Sequence, residues 1–164
     1  MDILIALDSY DDLFSDFDIR GFNERPISRD FLDELNLRMK RLESKEGLRI
    51  VFVLDAADRK AEDEAVIARR VEKFFADRHA HYRREDRKTT LRSFAFVLIG
   101  LLLLVVANFF SKYLPSTFRE FLLIPSWYFV WSGLEHYVDS RAGMRGKKRY
   151  YGALGQARLA FQDR

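Results

Sequence analysis

The sequence predicts an α/β protein: a small cytoplasmic β-α-β-α head joined by a long helix to a two-helix transmembrane hairpin. Three observations carry that expectation. Two short, β-branched apolar runs, "DILIALD" and "LRIVFVLD", flank a stretch of helical periodicity. Nineteen consecutive uncharged residues lie between Arg92 and Lys112, close to the ~20 that a helix needs to cross the hydrocarbon of a bilayer. Charge is also partitioned. Residues 1–77 carry 19 acidic and 13 basic side chains, and residues 78–164 carry 6 and 15.

In chain order, the two apolar runs end in Asp8 and Asp55 and read as buried strands. Between them, "SRDFLDELNLRMKRLES" spaces Phe31, Leu32, Leu35, Met39 and Leu42 at helical intervals. Ser28 stands at the N-cap position, with Pro26 just before it and Gly47 shortly after the end. After the second strand, Asp58 is placed to cap a long helix. Glu62, Asp63 and Glu64 follow in its first turns, where the helix dipole favours them. Its apolar stripe runs through Ala61, Ile67, Val71, Phe74, Phe75, the stem of Arg78, and Tyr82. No proline or glycine occurs from Arg59 to Ile99, so this helix is expected to continue unbroken into the apolar run.

A helix crossing between two strands makes them parallel, so residues 1–77 form the head and residues 78–92 a basic helical connector. Two strands make a thin core. Parallel strands are normally covered on both faces and avoid open edges. More chain must complete the sheet, and a second copy is the simplest supplier, so a homo-oligomer is expected.

The membrane segment is expected at 93–138, with spans of about 93–112 and 117–138. The first, "SFAFVLIGLLLLVVANFFS", is apolar on every side except at Asn108. A buried soluble helix of that kind needs a larger protein around it. The second has 14 uncharged residues from Phe121 to Leu134. It reaches spanning length from Thr117 to Val138 with Glu120 and Glu135 near the two interfaces. Trp127, Tyr128 and Trp131 suit an interface or helix packing, and Pro125 is placed to kink the helix. Pro115 and Ser116 make the turn between the spans.

Arg78, Arg83, Arg84, Arg87, Lys88 and Arg92 precede the spans. Arg141, Arg145, Lys147, Lys148, Arg149 and Arg158 follow them, and the turn holds only Lys112 and Arg119. The positive-inside rule then puts both termini in the cytoplasm and the chain in the inner membrane, as a multi-pass protein. Basic residues beside apolar runs point to anionic lipid headgroups as partners rather than nucleic acid. The start, "MDILIALDSYDD", lacks the basic opening and long apolar stretch of a cleaved leader. Residues 139–164 form a basic cytoplasmic tail. In it "YYGALGQARLAFQ" sets Tyr151, Leu154, Arg158 and Phe161 on one side of a short helix weakened by Gly152 and Gly155. That helix is expected on the head or at the membrane surface.

Candidate functional residues gather on the second span. Tyr128, Ser132, Glu135 and Asp139 are separated by four, three and four residues, a single polar line with His136 beside it. Intramembrane ionisable groups face protein or water rather than lipid. In an antiparallel hairpin Glu135 returns to the level of Arg92, so an Arg92–Glu135 ion pair fastening the spans is one reading. A ring of Glu135 and Asp139 around an oligomer axis, attracting cations, is another. A proton relay through Glu135 and His136 is a third.

Elsewhere the chemistry is sparse. The chain has no cysteine, hence no disulfide, thiolate site or cysteine nucleophile, which fits a reducing compartment. Asp8 and Asp55, with Asp11, Asp12 or Asp58, are the candidate carboxylates for Mg²⁺, although strand-end aspartates more often cap turns. "DFDIRGFNERPI" starts like a calcium loop at Asp16. It then places Arg20 fifth and Ile27 twelfth, where oxygen ligands belong. His79 and His81 point to different helix faces with no third ligand at a useful spacing. There is no glycine-rich phosphate loop and no Gly-x-Ser-x-Gly elbow. No metal, cofactor or enzyme activity is expected.

The stretches "DDLFSDFD", "RPISRDFLDEL", "LRIVFVL" and "WSGLEHYVD", followed by a basic segment and "RYYGAL", resemble a family of small uncharacterised prokaryotic two-span membrane proteins with a cytoplasmic α/β head. The resemblance implies the architecture and adds no catalytic or binding residue. The function expected is that of a homo-oligomeric, membrane-tethered scaffold or sensor whose head binds a cytoplasmic protein or ligand. The alternative is a small oligomeric ion channel with the Glu135/Asp139 stripe at its mouth.

Overall fold

Among the described residues the elements follow in the order β1 (Asp2–Ala6), α1 (Arg29–Lys40), β2 (Arg49–Leu54), α2 (Ala61–Phe109), α3 (Ser116–Leu154) and β3 (Arg158–Asp163). Short 3₁₀ turns occupy Tyr10–Leu13 and Ala56–Asp58. The structure is a computed structural model describing residues 1–42, 47–110, 112–113 and 115–164. Glu43 and Ser44 of the first helical stretch, Ser111 of the long apolar run, Leu114 of the turn and the Arg141 side chain lie outside the described residues. The protein is mixed α/β and mostly helical, with a small parallel sheet and one long apolar helix. It divides into two compact units, 1–79 with 149–164, and 80–148.

In the first unit the sheet order is β1-β2-β3, all parallel. Ile3 and Ile5 of β1 and Ile50, Phe52 and Leu54 of β2 alternate onto one face. That face shares a core with Phe31, Leu35 and Met39 of α1 and with Ile67, Val71 and Phe75 of α2. Parallel crossovers are right-handed, so strands stepping in one direction put their helices on a single side. Leu32, Leu42 and Phe74 pack at the edge of this core, as their helical spacing predicts. Gly47, just before β2, has φ 61°, a left-handed conformation suited to glycine.

Three local expectations are corrected. The tail is not a short helix with Arg158 on it. Instead α3 runs to Leu154, and Arg158–Asp163 pair in parallel with β2. The reason is periodicity: in "RLAFQD" Leu159 and Phe161 alternate onto the core, a two-residue repeat that a strand satisfies. The third strand thus comes from the chain itself, and β2's second edge is filled without another copy. Asp58 does not cap α2, which starts at Ala61; Asp58 sits in the preceding 3₁₀ turn. Ser28 holds the N-cap position of α1, but its side chain makes no capping bond. On the outer edge of β1 the Arg38 guanidinium donates to the Leu4 carbonyl, a charged block against stray strand pairing.

In the second unit α2 and α3 run antiparallel. Gly100 lies against Ser126 and Val130, and Gly133 lies against Ser93 and Val97, so one helix is read forwards while the other is read backwards. α3 passes through Pro125 as a helix. Among the described residues α2 alone is long and apolar enough to cross a membrane, and 17% of its most apolar window is buried.

Candidate functional site

The two helices of the second unit meet along a seam of small residues. Ser93, Gly100 and Ala107 on α2 follow one another at intervals of seven, as do Ser126 and Gly133 on α3. Ser93, Ala107 and Ser126 are buried, at 3%, 0% and 0% exposure. A Cβ added to Gly100 would sit 2.7 Å from the Ser126 carbonyl oxygen, and one added to Gly133 would sit 2.8 Å from that of Ser93. The backbones are therefore in direct contact, the kind of approach that only small residues permit. Ser126 donates its hydroxyl to the Leu122 carbonyl at 2.6 Å, whereas the Ser93 hydroxyl is buried without a partner among the described residues.

That seam fixes where the polar stripe points. At ~100° per residue Glu135 lies about 180° from Ser126 around α3. Tyr128, Glu135 and Asp139 are accordingly exposed, and Ser132 is half-buried. Glu135 and Asp139 make no ion pair or hydrogen bond among the described residues. His136 lies between stripe and seam. Its Nδ1 is 2.9 Å from the Ser132 carbonyl, and its ring stacks on Phe96 at 6.2 Å. One side of α3 is thus spent on α2, and the opposite side carries carboxylates that are unpaired among the described residues.

The structure does not bring Arg92 and Glu135 together. Gly133 abuts Ser93, so the level is as expected, but both side chains are exposed and unpaired among the described residues, Glu135 facing away from the seam. The cross-helix ion pair lies nearer the basic ends: Lys148 Nζ reaches Asp86 Oδ2 at 2.9 Å. Beside it the Lys147 ammonium lies 5.7 Å over the Tyr82 ring. Extending the antiparallel register about three turns further along the helices would have found both. The small-residue seam was likewise legible, as a seven-residue repeat of Ser, Gly and Ala inside apolar runs.

In the first unit the carboxyl ends of the parallel strands, where ligand sites of α/β sheets often form, are occupied by a closed network. The Tyr10 hydroxyl, in the turn after β1, accepts from the Lys60 N–H at 3.0 Å and donates to Glu64 Oε1 at 3.1 Å. Arg59, after β2, grips both oxygens of Glu64 at 2.7 and 3.1 Å and reaches Asp163 of β3 at 2.6 Å. The Arg59 guanidinium holds the Glu64 carboxyl below its usual range, and burial pushes the Tyr10 phenol up. The network ties all three strand ends together and spends its own donors and acceptors. Asp12 is also spent, accepting from the Asp8 and Ser9 N–H groups at 2.7 and 3.2 Å. Asp11 pairs with Arg25. Asp8 and Asp55 are exposed, and among the described residues no group of three His, Cys, Asp or Glu side chains converges on one point. His79 packs against Gly152 rather than beside other nitrogen ligands.

Compared with family models, with curated proteins and with solved structures, the chain matches none.

Proposed function

We propose that the chain is a homo-oligomeric, two-span inner-membrane protein that acts as a membrane-tethered scaffold or sensor through a cytoplasmic α/β unit, with both termini in the cytoplasm. One observation carries this reading. The second unit hides small residues and turns its large apolar ones outward: Phe94, Leu98, Leu102, Val105, Trp127 and Trp131 are all exposed. Such a surface is unfavourable in water and suited to lipid. The apolar part of α2 from Ser93 to Phe109 gives about 26 Å of helix, close to a ~30 Å hydrocarbon core. α3 is the second span, and basic residues at the far ends of both helices meet anionic headgroups.

Oligomerisation through the second span is favoured by the exposed stripe, since Glu135 and Asp139 facing lipid would be costly and facing a second copy would not. The test is the mass of the protein in nanodiscs after an alkaline membrane wash. The reading expects retention in the membrane and a mass of two or more chains. Extraction by the wash, or a single chain per disc, contradicts it.

The same stripe supports a second reading, a small cation channel lined by α3. Purified protein in planar bilayers would then conduct, and Glu135→Gln would lower the preference for cations. An absence of current across voltages and cations leaves the scaffold. The first span is too apolar to line water, so any pore would rest on the stripe of α3 alone.

A further inference from the structure

Two large apolar side chains of the first unit stand wholly in water. Phe17 is 101% exposed and Ile19 102%, whereas the next most exposed among the described residues of that unit, Met1 and Leu4, are at 56% and 53%. The segment that carries them is braced. Residues 15–26 leave and rejoin the fold at one place: Phe14 and Ile27 form an antiparallel bridge, the Ser15 N–H donates to the Pro26 carbonyl at 2.9 Å, and the Ser28 N–H donates to that of Leu13 at 3.0 Å. Arg25 pairs with Asp11 and donates to the Ser15 carbonyl at 3.0 Å, and Arg20 grips both oxygens of Asp18 at 3.0 and 2.6 Å. Phe22 turns inward and stacks on Phe14 at 5.3 Å. Surface loops closed in this way are compact and frequently functional. Beside the loop runs a groove. One hollow of about 580 Å³ is lined by Phe14, Phe17, Pro26 and Ile27, with Asp16, Asp30 and Arg29. A second, of about 330 Å³, shares Phe14, Asp16 and Asp30 with it and adds Asp12 and Glu34, the latter held by Arg38. Carboxylates therefore outnumber cations along the described lining.

We propose that Phe17, Ile19 and this groove dock an amphipathic basic helix of a partner protein. The apolar stripe of that helix covers Phe17 and Ile19, and its lysines and arginines meet Asp16 and Asp30. An amphipathic helix laid in a groove is read by apolar anchors at helical spacing, and opposite charge at the rim sets its orientation. A loop already held in shape lowers the ordering cost of such a contact. Charge also argues against two other occupants. Residues 11–25 carry five carboxylates and two arginines, so anionic headgroups would be repelled. The same surface of a second copy would set like charges against each other across a two-fold axis. The inference rests on the scaffold reading above and gives the chemistry of its cytoplasmic partner.

The test uses the full-length chain in nanodiscs of zwitterionic lipid and two fluorescent synthetic peptides, an amphipathic helix of leucine and lysine and its leucine–glutamate counterpart. Binding is read by anisotropy against empty discs. The leucine–lysine peptide should bind the protein above the empty-disc level, and the leucine–glutamate peptide should not. Phe17→Ser and Ile19→Ser, both at wholly exposed positions, should each weaken binding several-fold, as should Asp16→Lys. Asp77→Lys, an equal change of charge at an exposed residue outside the groove lining, should leave it unchanged. Binding no greater than to empty discs would overturn the proposal. So would binding that Phe17→Ser leaves intact, that the leucine–glutamate peptide equals, or that Asp77→Lys weakens as much as Asp16→Lys does. The other occupants are told apart by an environment-sensitive dye on Ile19→Cys in the otherwise cysteine-free chain. The dye should report water before the peptide is added and an apolar surrounding afterwards. An apolar surrounding from the start, supplied by the bilayer or a second copy, would overturn the proposed occupant. The alkaline wash separates the two failures. Protein lost from the membrane defeats the tethered reading, whereas protein retained but indifferent to the leucine–lysine peptide defeats the groove alone.

Discussion

The two units are built on opposite principles. The first buries large side chains, with Phe14, Phe52, Phe75, Leu35 and Met39 all at or below 1% exposure. It keeps charge at its strand ends, in the network of Tyr10, Arg59, Glu64 and Asp163. The second buries Ser93, Ala107 and Ser126 and leaves its aromatic and branched residues outside. Water drives the first fold, because covering apolar area is its main source of stability. On the proposed reading it does not drive the second, whose helices hold together through backbones in close contact in a solvent that accepts the apolar exterior.

The contrast predicts unequal responses to substitution. Phe75→Ala, at the centre of the water-driven core, should cost about 3–5 kcal/mol and abolish or sharply weaken the cooperative unfolding of the first unit, read by circular dichroism in detergent. Gly133→Val should leave that transition in place and part the helices of the second unit instead, because the new Cβ falls 2.8 Å from the Ser93 carbonyl. Overpacking of this kind costs about 1–3 kcal/mol. Loss of disulfide formation between Phe96→Cys and Phe129→Cys, whose rings lie 5.6 Å apart in the parent chain, would report it.

The strand-end network should show itself through pH. Arg59 lowers the Glu64 pKa in the folded state, so the associated stability is fully present above the ordinary glutamate value of about 4.3 and is lost as the pH falls through the lowered value. Glu64→Gln should remove about 1.5–3 kcal/mol at pH 7, typical of a hydrogen bond to a charged group, and should flatten the acid limb of the melting temperature against pH. The smallest effect is expected at Ser93→Ala. The Ser93 hydroxyl is buried and unpartnered, so its removal should leave the helix pair as stable as before, or up to about 1 kcal/mol more so by the same cross-linking assay.

Much of the first unit was legible from periodicity. Phe31, Leu35 and Met39 on α1 and Ile67, Val71 and Phe75 on α2 are buried as their spacing predicts. The third strand was not legible, because two glycines and a helix-like spacing of Tyr151, Leu154, Arg158 and Phe161 masked the alternation that begins at Arg158. Its partner strand lies about a hundred residues away, and no local pattern announces a pairing over that distance. The Tyr10–Lys60–Glu64 contact is non-local in the same way. In the second unit the polar stripe was readable as a four-three-four spacing, but its direction was not. Direction is set by the opposite side of α3, where Gly133 and Ser126 press against α2. Small residues carry little weight in a hydropathy pattern, yet they decide which side of the helix is left for Glu135 and Asp139.

The central claim is that the inside-out unit lies in the bilayer with both ends of the chain on one side of it. Single cysteines at Glu62, Tyr113 and Arg164, exposed sites in an otherwise cysteine-free chain, test it directly with a membrane-impermeant maleimide applied to intact cells. The account predicts labelling of Tyr113→Cys alone, with Glu62→Cys and Arg164→Cys reacting only after the membrane is opened. Labelling of either end from outside, or recovery of the protein in the soluble fraction, would contradict it.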